Sequence, residues 1–535
     1  MSLQERWNNE IPAATAQLGE ILLDEDSPYR LVGDEASAFF QYEDFAPLYA
    51  PNGRGAVCPI VLSLVTIFQF LENLPDRVAG DMAVLRIDWK YALHQELDWL
   101  GFHHTDLSNF RARLVAHAEE QLVFGQVLDW VKRHGMLRKH GKQRTDSTHV
   151  LGAVERMSRL ELVWESLRLA LGAVQRAAPD WYHATIPGAF HTAYHERQSD
   201  WRLNKDEVRA AMQTAGADGY WLLDRIDTPA PEEVRELEAV ATLRRVLEQQ
   251  FERTDGQVGA KKVPIKGKYI VSSPHDVDAR WAEKRGKDWV GYKLQVTETA
   301  DEENAVQFIT DVDTAAANDG DSEHVDGIQT RLEERDLKPK EQHVDQGYTS
   351  GPNLASSNQR GIELVGPVAQ DQSNKPAGYR QADFELDFDA PAATCPQGRT
   401  SVAWTEYQAP EVPDDPDRKE IKIRFDCAGC PAVGHCTTSP NGRTLTISAF
   451  YPELTARRAE QQTQAFKDRL KLRSAIEGTV SEFTRGHGAR RARYRGKAKV
   501  RLQHLFTGAA VNIKRLARAL AKRKADPTPG VAAMA

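Results

Sequence analysis

Two groups of residues in this chain have the types and spacing to do chemistry. The first is a set of three carboxylates in separate segments: Asp146 in TDSTHV, Asp345 in HVDQGYTS and Glu477 in KLRSAIEGTVSEF. Carboxylate oxygens are hard ligands for Mg2+ or Mn2+. Mg2+ keeps several waters and takes further ligands from a substrate phosphate, so two or three carboxylates suffice to hold it. Two such ions ~4 Å apart can activate an attacking oxygen and stabilise a leaving oxygen at a phosphodiester. Taken singly, each Asp equally suits a turn or a cap. Arg473 sits one helical turn before Glu477, a spacing that on an ordinary surface is worth only ~0.3–0.5 kcal/mol. Glu477 stands out because it is one of four acids, with Glu460, Asp468 and Glu482, in a stretch from Ala456 to Lys524 that holds 20 Lys or Arg. Glu482 lies about 140° further round the helix and is the second choice for the third carboxylate.

The second group is Cys395, Cys427, Cys430 and Cys436, in CPQG, CAGC and CPAVGHC; the fifth cysteine, Cys58, stands apart in an apolar segment. Four thiolates with a C-x2-C pair and Pro or Gly at the knuckles suit tetrahedral Zn2+ at ~2.3 Å. With four protein ligands the site would be structural, stabilising a segment too small to own a good core. A redox C-x-x-C pair or chance clustering is the alternative, and His435 could replace Cys436 as a ligand.

The formal net charge of -8 conceals an asymmetry. The 20 cations and four acids of residues 456–524 give a local balance of +16, which leaves -24 for the rest of the chain. Such a segment suits a polyanion. Arg490, Arg491, Arg493, Arg495, Lys497, Lys499 and Arg501 are spaced around Tyr494 for phosphate contacts, which position a nucleic acid without reading its sequence. Composition is that of a globular protein, with 41% hydrophobic and 27% charged residues. Five cysteines and the lack of a basic-then-apolar leader in the first twenty residues predict a cytoplasmic protein. The most apolar window, Val57 to Leu71, falls short of the ~20 residues that span a bilayer. It reads as a buried helix with Pro59 in its first turn, and no membrane partner is expected.

These residues must be positioned by an α/β multidomain architecture. Residues 1–138 read as a helical N-terminal domain. In it, HTDLSNFRARLVAH buries Phe110 and Leu114, Asp106 or Ser108 can cap, and Arg111 and Arg113 lie on other faces. A helix-turn-helix that offers both arginines to DNA and a solvated helix face are both open readings. Residues 139–154 read as a strand carrying Asp146, and 155–264 as a helical insertion. Residues 265–387 form a sheet domain, with WVGYKLQVTETA and AVQFITDVDTA as a hairpin, a helix from Asp321 to Arg335, and a strand into Asp345. Open α/β sheets place their sites at such strand ends. Residues 388–451 read as a small β insert holding the cysteines. Residues 452–524 read as two basic helices, Glu453 to Phe483 and Val500 to Lys522, and 525–535 as a loose tail.

The segments DLSNFRARL, DSTHV, DARWAEKRGKDWVGYK, VDQGYTS and RSAIEGTVSEFTRGHGARRARYRGKAKVRLQHLFTGAAVNIKRL, taken in order, resemble the bacterial and archaeal insertion-sequence DDE transposases. The resemblance runs from about residue 40 to 520. It implies a ribonuclease-H-like core with Asp146, Asp345 and Glu477 as the Mg2+-binding catalytic triad, interrupted by a helical insertion and a four-cysteine, zinc-ribbon-like insert. It implies cleavage of DNA at element ends and transfer of the freed 3′-hydroxyl into target DNA, by a homodimer on paired ends. Recognition of the ends is expected from the N-terminal helices. The family's Y-R-E-K signature matches at Arg473 and Glu477 but has Leu470 and Thr484 at its Tyr and Lys positions, so Arg485 is the candidate for the DNA contact of that Lys. Two alternatives use the same residues: a catalytically silent, zinc-containing DNA-binding descendant, and a Mg2+-dependent nuclease that never joins strands.

Overall fold

The computed structural model describes all residues except 1, 4–6, 229, 263–266, 371–377, 409–418 and 526–535. Its central sheet is assembled from distant stretches of chain: β1 (Lys142–Leu151), β2 (Arg280–Lys284), β3 (Lys287–Thr299), β4 (Ile309–Ala316), β5 (Glu341–His343) and β6 (Glu363–Val365). The order is β6-β5-β1-β3-β2, with β4 also pairing β3. β1, β5 and β6 run parallel, whereas β3 is antiparallel to β1, β2 and β4. The hairpin expected from WVGYKLQVTETA and AVQFITDVDTA is β3–β4. The hairpin β2–β3 before it is additional, closed by Arg285 and Gly286 at φ 54 and 74, the paired positive φ of a tight two-residue turn.

Both long insertions leave and re-enter the sheet at neighbouring points. Leu151, the last residue of β1, lies opposite Gly291, and Gly291 lies opposite Arg280, where the chain returns. Helices from Arg159 to Gln250 and a short hairpin, Phe251–Thr254 with Gln257–Ala260, fill the interval. They enclose a hydrophobic core of their own, including Leu167, Leu222, Leu243 and Leu247. The second insertion leaves after β6 and is tied back by Arg457, whose Nη1 donates to the Leu364 and Gly366 carbonyls at 2.7 and 2.8 Å.

The second insertion is a three-stranded antiparallel sheet of β7 (Ala403–Gln408), β8 (Lys419–Arg424) and β9 (Thr444–Ser448), over a small core of Ile421, Ile423, Leu445 and Ile447. Phe384 joins that core, and Glu385–Asp387 pairs with Ala392–Thr394. The unit therefore starts before the expected boundary at 388.

The N-terminal helices include α1 (Pro59–Leu71), buried on all sides from Pro59 to Phe70, α2 (Thr105–Ala116) and α3 (Leu122–Arg133). Phe110 and Leu114 of α2 are fully buried as expected, but no side chain caps this helix; neither Asp106 nor Ser108 does so. The C-terminal stretch departs further from expectation. Residues 453–483 form three helices, α4 (Tyr451–Glu460), α5 (Gln464–Ser474) and α6 (Ile476–Ser481), followed by a π-turn over Glu482–Gly486. Thr463 starts the second of them by accepting the Phe466 N–H at 3.2 Å.

The last helix, α7 (Lys497–Ala525), is the axis of the molecule. Its residues from Leu502 to Ile513 are buried, wedged between α1, α2 and α3 on one side and β4 on the other. One hydrophobic core thus runs from the N-terminal helices through α7 to the sheet. The domain expected at 1–138 shares its interior with the part that carries the carboxylates. The loose tail expected at 525–535 lies, from 526 onward, outside the described residues.

Candidate active site

In the parallel register of β1 and β5, Arg144 stands opposite His343. Two residues further on, Asp146 and Asp345 come side by side where β5 gives way to a loop. Asp146 is mostly buried; its Oδ1 accepts the Ser147 N–H at 2.7 Å and its Oδ2 accepts from Arg473 Nη1 at 3.1 Å. Asp345 Oδ1 accepts the Gly347 N–H at 2.8 Å. A Cβ built on Gly347 would lie 3.1 Å from Asp345 Oδ1 and 3.2 Å from Asp321 Oδ2. A side chain there would crowd both carboxylates, which approach that peptide closely.

Asp321 is the residue that sequence reasoning missed. It was visible there only as the start of a helix. In the fold its Oδ1 accepts from Gln295 Nε2 at 3.1 Å and from Lys293 Nζ at 3.3 Å, and it adds negative charge beside Asp146. Burial, then the charges of Asp345 and Asp321, outweigh Arg473 and the Ser147 N–H and hold the Asp146 carboxyl above its ordinary value. The site carries more negative charge than its neighbours neutralise.

Arg473 ends α5, and Glu477 follows in the first turn of α6. Ile476 and Thr479 of α6 are buried against the sheet, which turns Glu477 outward to solvent. Its carboxylate makes no hydrogen bond or ion pair among the described residues. The clamp on this helix is a second acidic centre. Glu298 of β3, with a side chain 0% exposed, accepts from Arg144 at 2.7 Å, Arg515 at 2.8 Å and Thr479 Oγ1 at 2.7 Å. Arg144 Nη1 also donates to the Leu472 carbonyl at 3.1 Å. The residue two before Asp146 thus holds the backbone beside Arg473.

Glu482 belongs to this clamp and is corrected as a candidate third carboxylate. It pairs with Lys514 at 2.5 Å and Arg515 at 2.8 Å. Although burial opposes ionisation, His487, Arg515 and Lys514 hold the carboxyl well below its ordinary value.

The expected DNA-contacting cations divide in two. Arg111 is buried, ion-paired with Asp76, and its guanidinium lies 5.0 Å over the Tyr494 ring. Arg493 donates to the Leu74 carbonyl and Asn73 Oδ1 and lies 4.8 Å over Phe70. These two join the C-terminal segment to the N-terminal helices; Arg111, expected on a face away from the buried one, is itself buried. Arg113 is half-buried over Tyr49 at 4.8 Å. Arg490 Nη1 donates to Thr148 Oγ1 at 2.9 Å and to the His149 carbonyl at 2.7 Å, and Arg501 lies 3.7 Å from Asp313. Arg485, Arg491, Arg495, Lys497 and Lys499 are exposed. Thr484 is buried, its hydroxyl donating to the Val480 carbonyl at 2.8 Å, whereas neighbouring Arg485 faces solvent.

The four clustered cysteines are reduced and line one apolar cavity of about 20 Å³. Arg443 N–H donates to Cys427 Sγ at 3.3 Å, and Cys430 N–H to the Cys427 carbonyl at 3.1 Å. Burial, partly offset by Arg443 and reinforced by the other three thiols, pushes the Cys436 thiol up. His435 packs edge-on against Tyr379, 5.4 Å away, and does not line that cavity. Among the described residues, no three His, Cys, Asp or Glu are gathered tightly enough to hold a metal ion as the side chains stand.

A carboxylate pair thus stands at the ends of parallel strands beside a basic helical segment, and comparison with known families points to a class of enzyme that acts on DNA. A model described as Transposase DDE domain matches residues 394–517, which include Arg473 and Glu477, and one described as Transposase domain (DUF772) matches residues 18–113. Both matches support an insertion-sequence DDE transposase. No curated protein matches it. No helix among the described residues is long and apolar enough to cross a membrane.

Proposed function

We propose that the chain cuts DNA at the ends of its element and transfers the freed 3′-hydroxyl into target DNA, with Asp146, Asp345 and Glu477 as the acidic triad. The observation that carries this reading is the placement of Asp146 beside Asp345, with Arg473 reaching Asp146 from the helical turn before Glu477. The strand order β4-β3-β1-β5-β6, three antiparallel strands followed by two parallel ones, supports a ribonuclease-H-like core.

The donor set fits Mg2+: hard oxygens, excess negative charge and an open side toward solvent. When bound, such ions supply charge neutralisation at the phosphate and an activated water. The residues of the chain do the rest. β1 and β5 fix the two Asp side chains, the Glu298 clamp fixes the helix bearing Glu477, and Arg473 holds Asp146 in place while offering a cation to a phosphate. Positioning and charge carry the reaction, and no Ser, Cys or Tyr nucleophile is required. The exposed Arg485, Arg491, Arg495, Lys497 and Lys499 are the phosphate-binding cations in this reading. Replacing them with neutral residues flattens the dependence of log K on log[salt] by ~0.9 for each phosphate that no longer meets a cation.

The four thiols around one small cavity, with an N–H donor on Cys427 Sγ, fit structural Zn2+. A homodimer on paired ends is part of this reading.

Asp146→Asn, Asp345→Asn and Glu477→Gln proteins, assayed with Mg2+ for strand cleavage and for 3′-end joining, test the assignment. Loss of both activities in each variant is expected, and full cleavage by any one of them removes that residue from the triad. Cleavage without joining by the unaltered chain reduces the activity to that of a nuclease.

A further inference from the structure

Asp321 has no part in the triad, yet the fold ties it to the carboxylate site at three points. It opens the short turn Asp321–His324 that follows β4. Gln295 of β3, which lies opposite Ser147 in the β1–β3 register and is 1% exposed, makes the first tie. Its Oε1 accepts from the buried Tyr348 hydroxyl, and its Nε2 donates to Asp321 Oδ1 at 3.1 Å. Asn353, in the helix Gly351–Gln359, makes the second: its Nδ2 donates to the carbonyls of Ser322 and of Tyr348, each at 2.8 Å. The third is Gly347, against which Asp321 Oδ2 and Asp345 Oδ1 both pack. The turn that carries Asp321 and the loop that carries Asp345 are thus held as one piece.

An ion pair alone needs none of this. Lys293 Nζ meets Asp321 Oδ1 at 3.3 Å and also donates to the Asp319 carbonyl. Lys293 and Gln295 both reach the same oxygen, Oδ1, which leaves Oδ2 on the side of Asp345 with no hydrogen-bond partner among the described residues. An amide suits position 295 because it accepts from a phenol and donates to a carboxylate at once. A glutamate there could not donate, and a leucine could do neither. Carboxylates held this close repel each other, and a neighbouring cation relieves the repulsion. Lys293 serves Asp321, whereas Asp345 has no ion pair among the described residues.

We propose that Asp321 is a fourth carboxylate of the metal site, acting with Asp345 on the divalent cation, and that Gln295 is the positioning residue that aims it. The inference rests on the triad reading above and enlarges its donor set. Lys293 is the counter-ion of Asp321 in the metal-free chain. Because Mg2+ keeps several of its waters, a carboxylate beside the ion serves it by binding the metal or one of those waters, and its loss lowers affinity without abolishing it.

The test is titration calorimetry with Mg2+ alone on the full chain freed of Mg2+, with urea-denaturation midpoints taken in the same metal-free buffer. Asp321→Asn keeps an acceptor for Gln295 and removes the charge. Its Mg2+ affinity is expected to fall roughly 10- to 100-fold while the metal-free midpoint changes little. Gln295→Met is expected to weaken binding by a smaller factor, and Lys293→Met, which keeps the carboxylate and removes its counter-ion, to tighten it. Asp146→Asn is the reference. Binding lost in Asp146→Asn and unchanged in Asp321→Asn overturns the fourth carboxylate while the triad stands, and binding unchanged in both overturns the triad reading as well. If Asp321→Asn lowers the metal-free midpoint sharply, Lys293→Met decides: tighter binding supports the fourth carboxylate, and unchanged or weaker binding makes Asp321 a structural partner of that lysine.

Discussion

Two acidic centres flank helix α6, and they differ in how completely their charge is balanced. Around Glu298 and Glu482, the cations Arg144, Arg515 and Lys514 meet two carboxylates with close to ideal hydrogen-bond distances. Around Asp146, Asp345 and Asp321, the ion pairs are Arg473 on Asp146 and Lys293 on Asp321. The first centre holds its Glu482 carboxyl below the ordinary value, and the second holds that of Asp146 above it. The first centre is neutralised by the protein itself, whereas the second keeps a deficit of positive charge, which in the proposed reading a cation and a phosphate would fill.

Breaking the unbalanced centre has the largest expected effect, and it falls on activity. Asp345→Asn lowers Mg2+-dependent strand cleavage on the order of 10²–10⁴-fold, the equivalent of several kcal/mol of lost charge stabilisation. Its urea-denaturation midpoint stays at or above that of the unaltered chain, because one repelling charge has gone. A midpoint that falls sharply in Asp345→Asn would make this acid structural and erase the contrast.

Breaking the balanced centre has the opposite signature. Glu298→Gln leaves the buried Arg144 and Arg515 without a shared counter-ion and costs about 3–5 kcal/mol of stability, read from the same denaturation curves. An unchanged midpoint for this variant would show that Glu298 does not clamp α6. Mg2+ then sharpens the comparison at a smaller scale. In the metal-binding reading, a hundredfold excess over Kd stabilises the unaltered chain by about 2.7 kcal/mol. That gain is absent in Asp146→Asn and present in Glu482→Gln; a gain that survives in Asp146→Asn places the ion elsewhere.

The sequence showed one of these centres better than the other. Asp146 and Asp345 stood out because KQRTDSTHVLG departs from helical periodicity and HVDQGYTS runs from a strand into Gly347 and a loop. Glu477 stood out through its isolation among cations; in the fold it faces solvent, without a hydrogen bond or ion pair among the described residues. The Glu298 clamp was not legible, since its partners lie at 144, 479 and 515 and meet only when β1, α6 and α7 pack together. The same reason explains Arg111 and Arg493. A cation count cannot distinguish a guanidinium over an aromatic ring inside a core from one facing solvent, and that difference is made by Tyr494 and Phe70 from distant segments. Residues 453–483 read as one helix because their periodicity carries through Gln462 and Ala475, where the chain turns. The α1 helix was legible in full, being apolar on every face.

The smallest expected effect is the dependence of stability on pH without metal, and here the two centres pull in opposite directions. A carboxyl whose folded value lies below its unfolded one, as for Glu482, contributes stability that is present above the ordinary carboxylate range and is lost as pH falls. Asp146 has its folded value raised, so the native state binds its proton more tightly than the unfolded state does. Its contribution is present below the ordinary carboxylate range and is lost as pH rises through the folded value. In chelator, Glu482→Gln should therefore reduce the loss of stability on acidification, while Asp146→Asn should remove a loss that occurs on raising the pH. The Asp146 effect is the weaker of the two because Arg473 and the Ser147 N–H oppose it. Denaturation midpoints measured from pH 3 to pH 7 separate the variants by the sign of the change in slope, and the same sign in both would mean that the two centres do not differ in charge balance.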